Sequence, residues 1–400
     1  MRRLRARPGN GASGGVIYET LGVPTLINAA GTVTRLSGGI MAPEVAEAMR
    51  QASLACVDMV QLQAAACRVI REATGAPAGI VTSGASAAVL LGAAACLAGL
   101  DPGRMNRLPE VPDGRRAFVV VRSQRNMYDR ALVVAGARIV EVGIPDRYSG
   151  PGVRDAAAWE IEEAIGPDTA GIYYLAQAQS RPALRDVASI ARRHGLPVLV
   201  DAAAQLPPAC NLKRYLDEGA DLVCFSGGKA IGGPQSSGIL CGRADLVASA
   251  LLQMLDLDVD PETWSPPAEF AALAQLRGLP HHGIGRSCKV GKEEIAGLLV
   301  ALQRFAAADP AARRESWRAI LQTIMDAAGG DDLRIASGPV PMLAWDVGPA
   351  ARGLAARLLA GQPSIACNMG RADDGVLLFH PMALTPAHAH EIGLRLRTLR

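Results

Sequence analysis

The sequence has few aromatic residues, and neither sign of charge is in clear excess. Phe, Trp and Tyr make up 4% of the 400 residues although half are hydrophobic, so the core must be built mainly from small aliphatic side chains. The 41 basic and 38 acidic residues give a net charge of +3, which is too balanced to indicate a nucleic-acid partner. The one local excess, Met1–Arg7, is predicted to be a solvated terminus.

Long apolar runs and paired metal ligands are also missing. No charge-free run of about 18 apolar residues, the length that would predict a membrane span, appears in the sequence. No apolar stretch follows the basic first residues in the manner of a secretory signal. The eight cysteines form no CxxC pair and the six histidines show no HxxxH or HExxH spacing. We therefore expect reduced thiols, no metal site and a cytoplasmic location.

Seven short apolar runs alternate with helical patterns through the first two thirds of the chain. This alternation predicts an α/β fold with a largely parallel sheet that helices cover on both faces. Right-handed crossovers place the strand-end loops at one edge, where such sheets bind ligands. The predicted strands are residues 79–82, 117–122, 138–142, 171–175, 197–201, 222–225 and 238–241.

The pattern changes after this sheet. A proline-rich stretch follows residue 250, and short strands return after about residue 333. We predict a large domain over 41–280 and a smaller α+β domain over 281–400. An N-terminal segment, 1–40, is expected to pack on the small domain or on a partner subunit.

A glycine-rich loop around Lys229 contains the most informative residue. Ser226–Gly238 joins two apolar runs and holds this single cation among small residues. A lysine at the end of a buried strand loses solvent, which lowers its pKa as a Schiff-base lysine requires. Gly227 and Gly228 are expected to let the backbone pass close to a ligand. The alternative is a surface lysine in a flexible loop.

Two further strand-end loops carry polar groups. Thr82–Ala88 opens a helix whose N–H groups could bind an anion, although Ser83 could simply cap that helix. Asp201 ends a very apolar strand and could face the same edge or cap the next helix. An anion site, a buried acid and an amine are the three groups that pyridoxal 5′-phosphate requires.

Several stretches give the sequence a recognisable pattern, and the segment around Lys229 is the most specific of them. Over roughly residues 18–390 the sequence resembles fold-type-I pyridoxal-phosphate enzymes, and more narrowly the group of selenocysteine synthase and D-glucosaminate-6-phosphate ammonia-lyase. This resemblance makes the seventh strand the antiparallel member of the sheet. The matching stretches are Ile27–Thr32, Val57–Gln63, Thr82–Ser86, Arg125–Asp129, Val200–Gln205, Phe225–Gln235 and Gly285–Glu294.

The resemblance also implies roles for individual residues. Lys229 would bind the cofactor aldehyde and move the Cα proton, while Asp201 would pair with the ring nitrogen and Ala203 would lie against the ring. The phosphate would be held by Ser83, Gly84, Ala85 and Ser226, and Arg125 or Asn126 would cover the other ring face. The substrate-side residues would be Asn28, Thr32, Arg286, Lys289 and Arg371, with Asn368 as an alternative to Arg371.

The activity implied is elimination from a small amino acid or amino sugar acid to a keto acid and ammonia. Racemisation shares the first step, and selenium or sulfur transfer and a non-catalytic binding protein are further alternatives. The first matching motif begins at Ile27, which leaves no room for the tRNA-binding region of the selenium transferases, so we expect no tRNA substrate. Members of this fold form homodimers, and we expect a homodimer or a dimer-based higher oligomer.

Overall fold

The computed structural model describes residues 15–112, 114–144 and 155–400; Met1–Arg7 lies outside this part. The helices are α1 (Gly15–Leu21), α2 (Pro43–Ser53), α3 (Met59–Thr74), α4 (Ala85–Ala98), α5 (Pro102–Arg107), α6 (Arg130–Val134), α7 (Ala158–Glu163), α8 (Leu184–Arg193), α9 (Asn211–Asp217), α10 (Ala244–Met254), α11 (Lys292–Ala307), α12 (Pro310–Ala328), α13 (Ala351–Leu359) and α14 (Pro386–Leu399). The strands are β1 (Ile27–Ala29), β2 (Ala78–Thr82), β3 (Ala117–Val121), β4 (Arg138–Val142), β5 (Thr169–Leu175), β6 (Val198–Asp201), β7 (Leu222–Ser226), β8 (Gly238–Gly242), β9 (Leu333–Ala336), β10 (Met342–Asp346), β11 (Ile365–Cys367) and β12 (Val376–Phe379).

The large sheet has the strand order β2-β8-β7-β6-β5-β3-β4. Strand β8 runs antiparallel to both β2 and β7, and the other pairs are parallel. The predicted seven-stranded, mostly parallel sheet is therefore confirmed. Helix α4 packs closely on it: a Cβ on Gly92 would lie 2.9 Å from Cδ1 of Leu199. Scarce aromatics and abundant small residues make this close packing possible.

The outer edge of this sheet is closed by a side chain. Gln63 of α3 is buried, and its amide both donates to the Val81 carbonyl (2.8 Å) and accepts from the Val81 N–H (3.0 Å). The glutamine thus replaces the backbone partner that an edge strand lacks, which protects β2 from pairing with another chain.

The chain divides into two compact units, but not where the sequence indicated. The larger unit is Met41–Pro310, and Ala311–Arg400 groups with the described part of Met1–Ile40. The predicted boundary at 280 differs because α11 belongs to the core of the larger unit. Its residues Ile295 and Leu298 are fully buried there, and a Cβ on Gly297 would lie 2.7 Å from Cγ of Met49 in α2.

The smaller unit is an α+β structure, as predicted. Strands β12, β10 and β9 form an antiparallel sheet, and β1 pairs in parallel with β11. Trp345 and Phe379 are buried in its core with apolar side chains of α12 and α14. The β1–β11 pairing is what attaches residues 27–29 to the C-terminal part of the chain.

All eight cysteines are free thiols in the structure. Burial raises the pKa of Cys96 and Cys241 to about 12, so these two thiols stay protonated and unreactive at neutral pH. As for membrane spans, none of the individual helices in the described ranges is both long and apolar enough, although α11 and α12 meet the criteria together as a bent pair.

Candidate active site

Several of the polar residues singled out in the sequence lie at one edge of the large sheet. Strands β2, β3, β5, β6 and β7 all end at this edge, and antiparallel β8 begins there. Asp201 is the last residue of β6, and Lys229 follows the end of neighbouring β7 by three residues. The Ser83 loop follows β2. The sheet therefore places the acid, the amine and the helix start beside one another.

Asp201 is a buried acid with two hydrogen-bond donors. It is 5% exposed, its Oδ1 accepts from the Ala203 N–H (2.9 Å), and its Oδ2 accepts from the Tyr173 hydroxyl (3.0 Å). Burial raises its pKa, while these two donors and Lys229 act in the opposite direction. It does not cap the next helix, because α9 begins only at Asn211. The carboxylate is thus held in place for a ligand.

Lys229 is half-buried in the turn between β7 and β8. Burial lowers the pKa of its amine, and the Asp201 carboxylate partly opposes this shift. A larger share of the amine is therefore neutral at working pH than in an exposed lysine, and the neutral amine is the nucleophilic form.

The glycines beside Lys229 are required by the packing of the turn itself. A Cβ on Gly227 would lie 2.2 Å from Oγ of Ser237, and one on Gly228 would lie 2.7 Å from Cα of Gln235. The Gly227 N–H donates to the Ser237 carbonyl (2.9 Å), which ties the two ends of the turn together. Because Gly227 and Gly228 lack side chains, Gln235 and Ser237 pack directly on the backbone next to the lysine.

The start of α4 contains the loop that was predicted to bind an anion. Gly84 is the N-cap residue with φ 136°, a conformation that favours glycine. Ser83 does not cap the helix; its hydroxyl donates to the Cys288 carbonyl (2.8 Å). Because no described side chain caps α4, the N–H groups of its first turn, from Ala85 onward, are left for an anion.

The Ser83–Cys288 hydrogen bond also brings one predicted substrate segment to this loop. Cys288 ends a 3₁₀ turn, Ile284–Cys288, that contains Arg286. The Arg286 guanidinium forms an ion pair with Asp256 (2.7 Å), whereas exposed Lys289 has no ion pair with any described residue. Both cations thus lie on a segment anchored at the anion-binding loop.

Asp256 belongs to a small exposed group of possible metal ligands. One ligand atom each from Asp256, Asp258 and His282 lie within 4.8 Å of one another. Because the Arg286 guanidinium already neutralises Asp256, we assign no metal to this group.

Arg125 and Asn126 follow β3 at the same edge, but their polar groups are already engaged. The Arg125 guanidinium forms ion pairs with Asp129, which is 4% exposed, and with Glu141 of β4. The Asn126 side chain accepts from the Tyr128 N–H (2.7 Å). The role predicted for either residue, covering a cofactor ring, would require these contacts to be released or shared.

Two of the predicted substrate residues lie in the smaller unit: Asn28 in β1, and Thr32 in the loop that follows it. The Asn28 amide donates to the carbonyls of Gly31 (2.9 Å) and Gly38 (2.7 Å) and accepts from the Ala30 N–H (3.0 Å). Its hydrogen-bonding groups therefore shape the loop. Thr32, in the same loop, is half-exposed.

Arg371 is the remaining predicted substrate cation. It is exposed and forms an ion pair with Asp374 (3.0 Å). The alternative residue, Asn368, accepts from the Gly370 N–H (2.8 Å).

In the same unit, burial lowers the pKa of His380 to about 4, so this imidazole is neutral at physiological pH.

The sequence did not identify Tyr173. Its side chain reaches Asp201 because of the register of two strands: Leu175 of β5 pairs with Asp201, and Tyr173 lies two residues earlier on the same face. The sequence Tyr173-Tyr174 within an apolar run indicates only a strand. Nothing local to it shows which tyrosine shares a face with the acid.

The sheet with its antiparallel β8, and the lysine and acid at its ligand-binding edge, define a fold-type-I, aminotransferase-like enzyme architecture. The solved structure of a D-glucosaminate-6-phosphate ammonia-lyase superposes on the chain with a TM-score of 0.78 at 26% identity and covers 97% of this chain and 98% of that one. The chain belongs to the L-seryl-tRNA selenium transferase (SelA) family, whose model matches residues 26–258, more than half of its length.

Two curated relatives extend over almost the whole chain. A 5′-C-glycyluridine monooxygenase-decarboxylase from Streptomyces sp. is 31% identical over 404 residues, covering 96% of this chain and 91% of the relative. The D-glucosaminate-6-phosphate ammonia lyase of Salmonella typhimurium (strain 14028s / SGSC 2262) is 27% identical over 402 residues, covering 96% and 97%. These relatives confirm the predicted family resemblance.

Proposed function

We propose that the chain is a pyridoxal-phosphate-dependent lyase that acts at Cα and Cβ of a small amino acid or amino sugar acid. The observation that carries this proposal is the pairing of half-buried Lys229 with buried Asp201 at neighbouring strand ends. The near-complete overlap with an ammonia-lyase, in sequence and in structure, supports the same reaction class.

The residues at the edge fit the cofactor group by group. The first turn of α4, with Ser83, Gly84, Ala85 and nearby Ser226, would hold the phosphate. Asp201 has acceptor capacity left beyond its two donors, and a buried carboxylate is the partner that a protonated ring nitrogen requires. Ala203, a small residue held by its own N–H to Asp201, would lie against the ring.

Bound pyridoxal phosphate would supply an aldehyde that captures amines and a ring that accepts electrons from Cα. The neutral Lys229 amine would hold the cofactor through that aldehyde and, with substrate bound, would take the proton from Cα. The Cα–H electron pair forms a Cα–Cβ double bond as a β-hydroxyl leaves with a proton as water. Hydrolysis of the product then gives a keto acid and ammonia, so the water lost is regained.

The substrate would bind through the cations near the anion-binding loop. Arg286 and Lys289 lie on the segment that Ser83 anchors. Exposed Lys289 would attract a carboxylate or a phosphate ester directly, whereas Arg286 would have to share its ion pair with Asp256. Asn28, Thr32 and Arg371 stay as proposed substrate residues. Arg125 and Asn126 stay as proposed ring contacts, and both already have partners in the protein.

A second candidate is favoured by the 31% identical relative, whose name describes a monooxygenase-decarboxylase of 5′-C-glycyluridine. In that case the Cα–carboxylate bond would break with release of CO₂, and O₂ would be the oxidant. Racemisation would instead return a proton to the opposite face of Cα. Binding without turnover would give none of these products, and selenium or sulfur transfer would require an assay that supplies the selenium or sulfur donor.

The test is a substrate screen with matched lysine variants. D- and L-amino acids, phosphorylated amino sugar acids and glycyl nucleosides are assayed together for ammonia, keto acid, optical rotation, O₂ uptake and CO₂. We expect ammonia and keto acid without O₂ uptake. Lys229→Ala should lose at least about 10³-fold in kcat, since the lysine serves as both amine and base. Lys213→Ala, an exposed lysine in α9, should retain wild-type activity.

Borohydride trapping supplies a readout independent of substrate. It should fix pyridoxal phosphate on wild-type protein and on Lys213→Ala, but not on Lys229→Ala. Full turnover by Lys229→Ala, or wild-type protein that borohydride never labels, would refute the enzyme proposal. O₂ uptake with CO₂ release would replace the lyase by the second candidate.

We further propose a cytoplasmic homodimer. Its support is the free state of all eight cysteines and the exposure of large apolar side chains in the first 60 residues, including Leu21 and Leu54. Light scattering on the purified protein and fractionation of cells test the two parts separately.

A further inference from the structure

Tyr173 and Asp201 are joined by a buried hydrogen bond. Tyr173 is 1% exposed, and its hydroxyl donates to Oδ2 of Asp201 at 3.0 Å. The Ala203 N–H donates to Oδ1 at 2.9 Å. Each carboxylate oxygen thus receives one donor from the protein and keeps capacity for another. The acid cannot rotate without losing both bonds.

The register of β5 and β6 makes this contact specific to position 173. Tyr173 pairs with Leu199, and Leu175 pairs with Asp201, so these four side chains share one face of the sheet. Tyr174 projects to the opposite face, where its hydroxyl donates to the Pro182 carbonyl at 3.2 Å. At 5% exposure it is nearly as buried as Tyr173. The chain therefore contains its own control tyrosine.

The electrostatic surroundings keep the tyrosine a donor. Burial raises the pKa of Tyr173 far above its ordinary value, and the Asp201 and Asp129 carboxylates add to the shift. Cys224, which pairs with Asp201 across β6 and β7, also has a pKa raised by burial and is a neutral thiol. Lys229 is the cation that faces the acid. Burial raises the pKa of Asp201. Without the Tyr173 hydroxyl, mainly one backbone N–H and Lys229 would oppose that rise.

We propose that Tyr173 is a positioning residue whose hydroxyl keeps Asp201 ionised and oriented for the cofactor's ring nitrogen. The inference rests on the proposed pyridoxal-phosphate function. It concerns a residue that would never contact the cofactor. Its effect would pass entirely through the charge and the orientation of Asp201.

The test compares Tyr173→Phe with Tyr174→Phe in two measurements. In protein freed of cofactor, infrared titration of the protonated-carboxyl band, assigned with Asp201→Asn, follows ionisation of the acid. In the complete protein, equilibrium dialysis gives the affinity for pyridoxal 5′-phosphate. Tyr173→Phe should move the carboxyl midpoint to higher pH. It should also weaken cofactor binding by about 10- to 100-fold, the range that a hydrogen bond to a charged group spans.

The control variant Tyr174→Phe should lose comparable thermal stability but leave both readouts within about twofold of wild type. In an Asp201→Asn background, Tyr173→Phe should have no further effect on cofactor affinity. Equal effects of the two tyrosine variants, or an unchanged midpoint in Tyr173→Phe, would show a purely structural role. Wild-type protein that binds no pyridoxal phosphate would refute the proposed function and, with it, the cofactor part of this inference. A midpoint shift would then still support the hold on Asp201.

Discussion

Two groups of charged residues follow strands of the same sheet edge, and they differ in what the protein has already done with them. At β6 and β7, Asp201 accepts hydrogen bonds from two uncharged donors, and Lys229 is half-buried with its pKa lowered. At β3, Arg125 is held by Asp129 and by Glu141 of β4. We propose that the first group keeps its charges for a ligand, whereas the second neutralises them in ion pairs. Position at the ligand edge therefore does not identify a site by itself. A candidate site is distinguished from a structural ion pair by charges that do not already form an ion pair within the protein.

The largest expected effect, and the most direct test of this difference between the two groups, comes from neutralising one acid in each group. Asp201→Asn should weaken pyridoxal-phosphate binding by about 100-fold or more, since an amide cannot offset a protonated ring nitrogen. Asp129→Asn, a change of the same shape, should leave cofactor affinity within about threefold. It should instead lower the free energy of unfolding by roughly 1–3 kcal/mol, because Arg125 loses a charged partner. Calorimetry and dialysis on both variants measure this contrast.

The reverse pattern, with Asp129→Asn losing cofactor and Asp201→Asn retaining it, would move the site to β3. Equal losses would mean that both groups contribute to binding. Either result would contradict the distinction between charges left for a ligand and charges already neutralised in ion pairs.

The pH dependence of cofactor capture tests the state of Lys229, the residue that follows β7. Lysine reacts with an aldehyde as the neutral amine, so capture falls as pH drops through the pKa of Lys229. Because burial lowers that pKa, the midpoint of the rate profile should lie below that of an exposed lysine, for which acetyl-lysine amide is the reference. Asp201 opposes the shift, so Asp201→Asn should move the midpoint lower still. A midpoint at the reference value would contradict burial of the amine.

Whether a feature could be predicted from the sequence depends on how far apart in the chain the interacting residues lie. The seven strands, Lys229 and Asp201 were predictable because apolar runs and a glycine-rich turn are local patterns. The engagement of Arg125 by Glu141 depends on the pairing of β3 with β4. Likewise the contact of Tyr173 with Asp201 needs the register of β5 and β6. Such contacts arise only once the sheet is assembled, and no single stretch encodes them.

The domain boundary shows the same limit in another form. Helix α11 falls within 281–400, the range predicted to be the smaller domain, yet its apolar face is buried in the core of the larger unit. Periodicity reveals that a helix has an apolar face, but not which core buries it. Here Leu298 packs close to Gly227 and Gly233, and α11 thereby supports the turn that holds Lys229. A helix counted as part of another domain is thus part of the site's framework.

The smallest expected effect belongs to Arg125, and it tests the β3 side directly. Arg125→Gln removes the guanidinium charge but keeps a polar side chain of intermediate length. Because that charge is already neutralised by Asp129 and Glu141, cofactor affinity should change by less than about threefold. Stability should fall by about 1 kcal/mol, since the side chain is partly exposed and such pairs are weak. Dialysis and thermal unfolding report the two quantities, with Arg138→Gln, whose pair with Asp168 is exposed, as the control. A tenfold or greater loss of cofactor confined to Arg125→Gln would show that the guanidinium leaves its carboxylates to cover the ring, and the two groups of charges would then form one site.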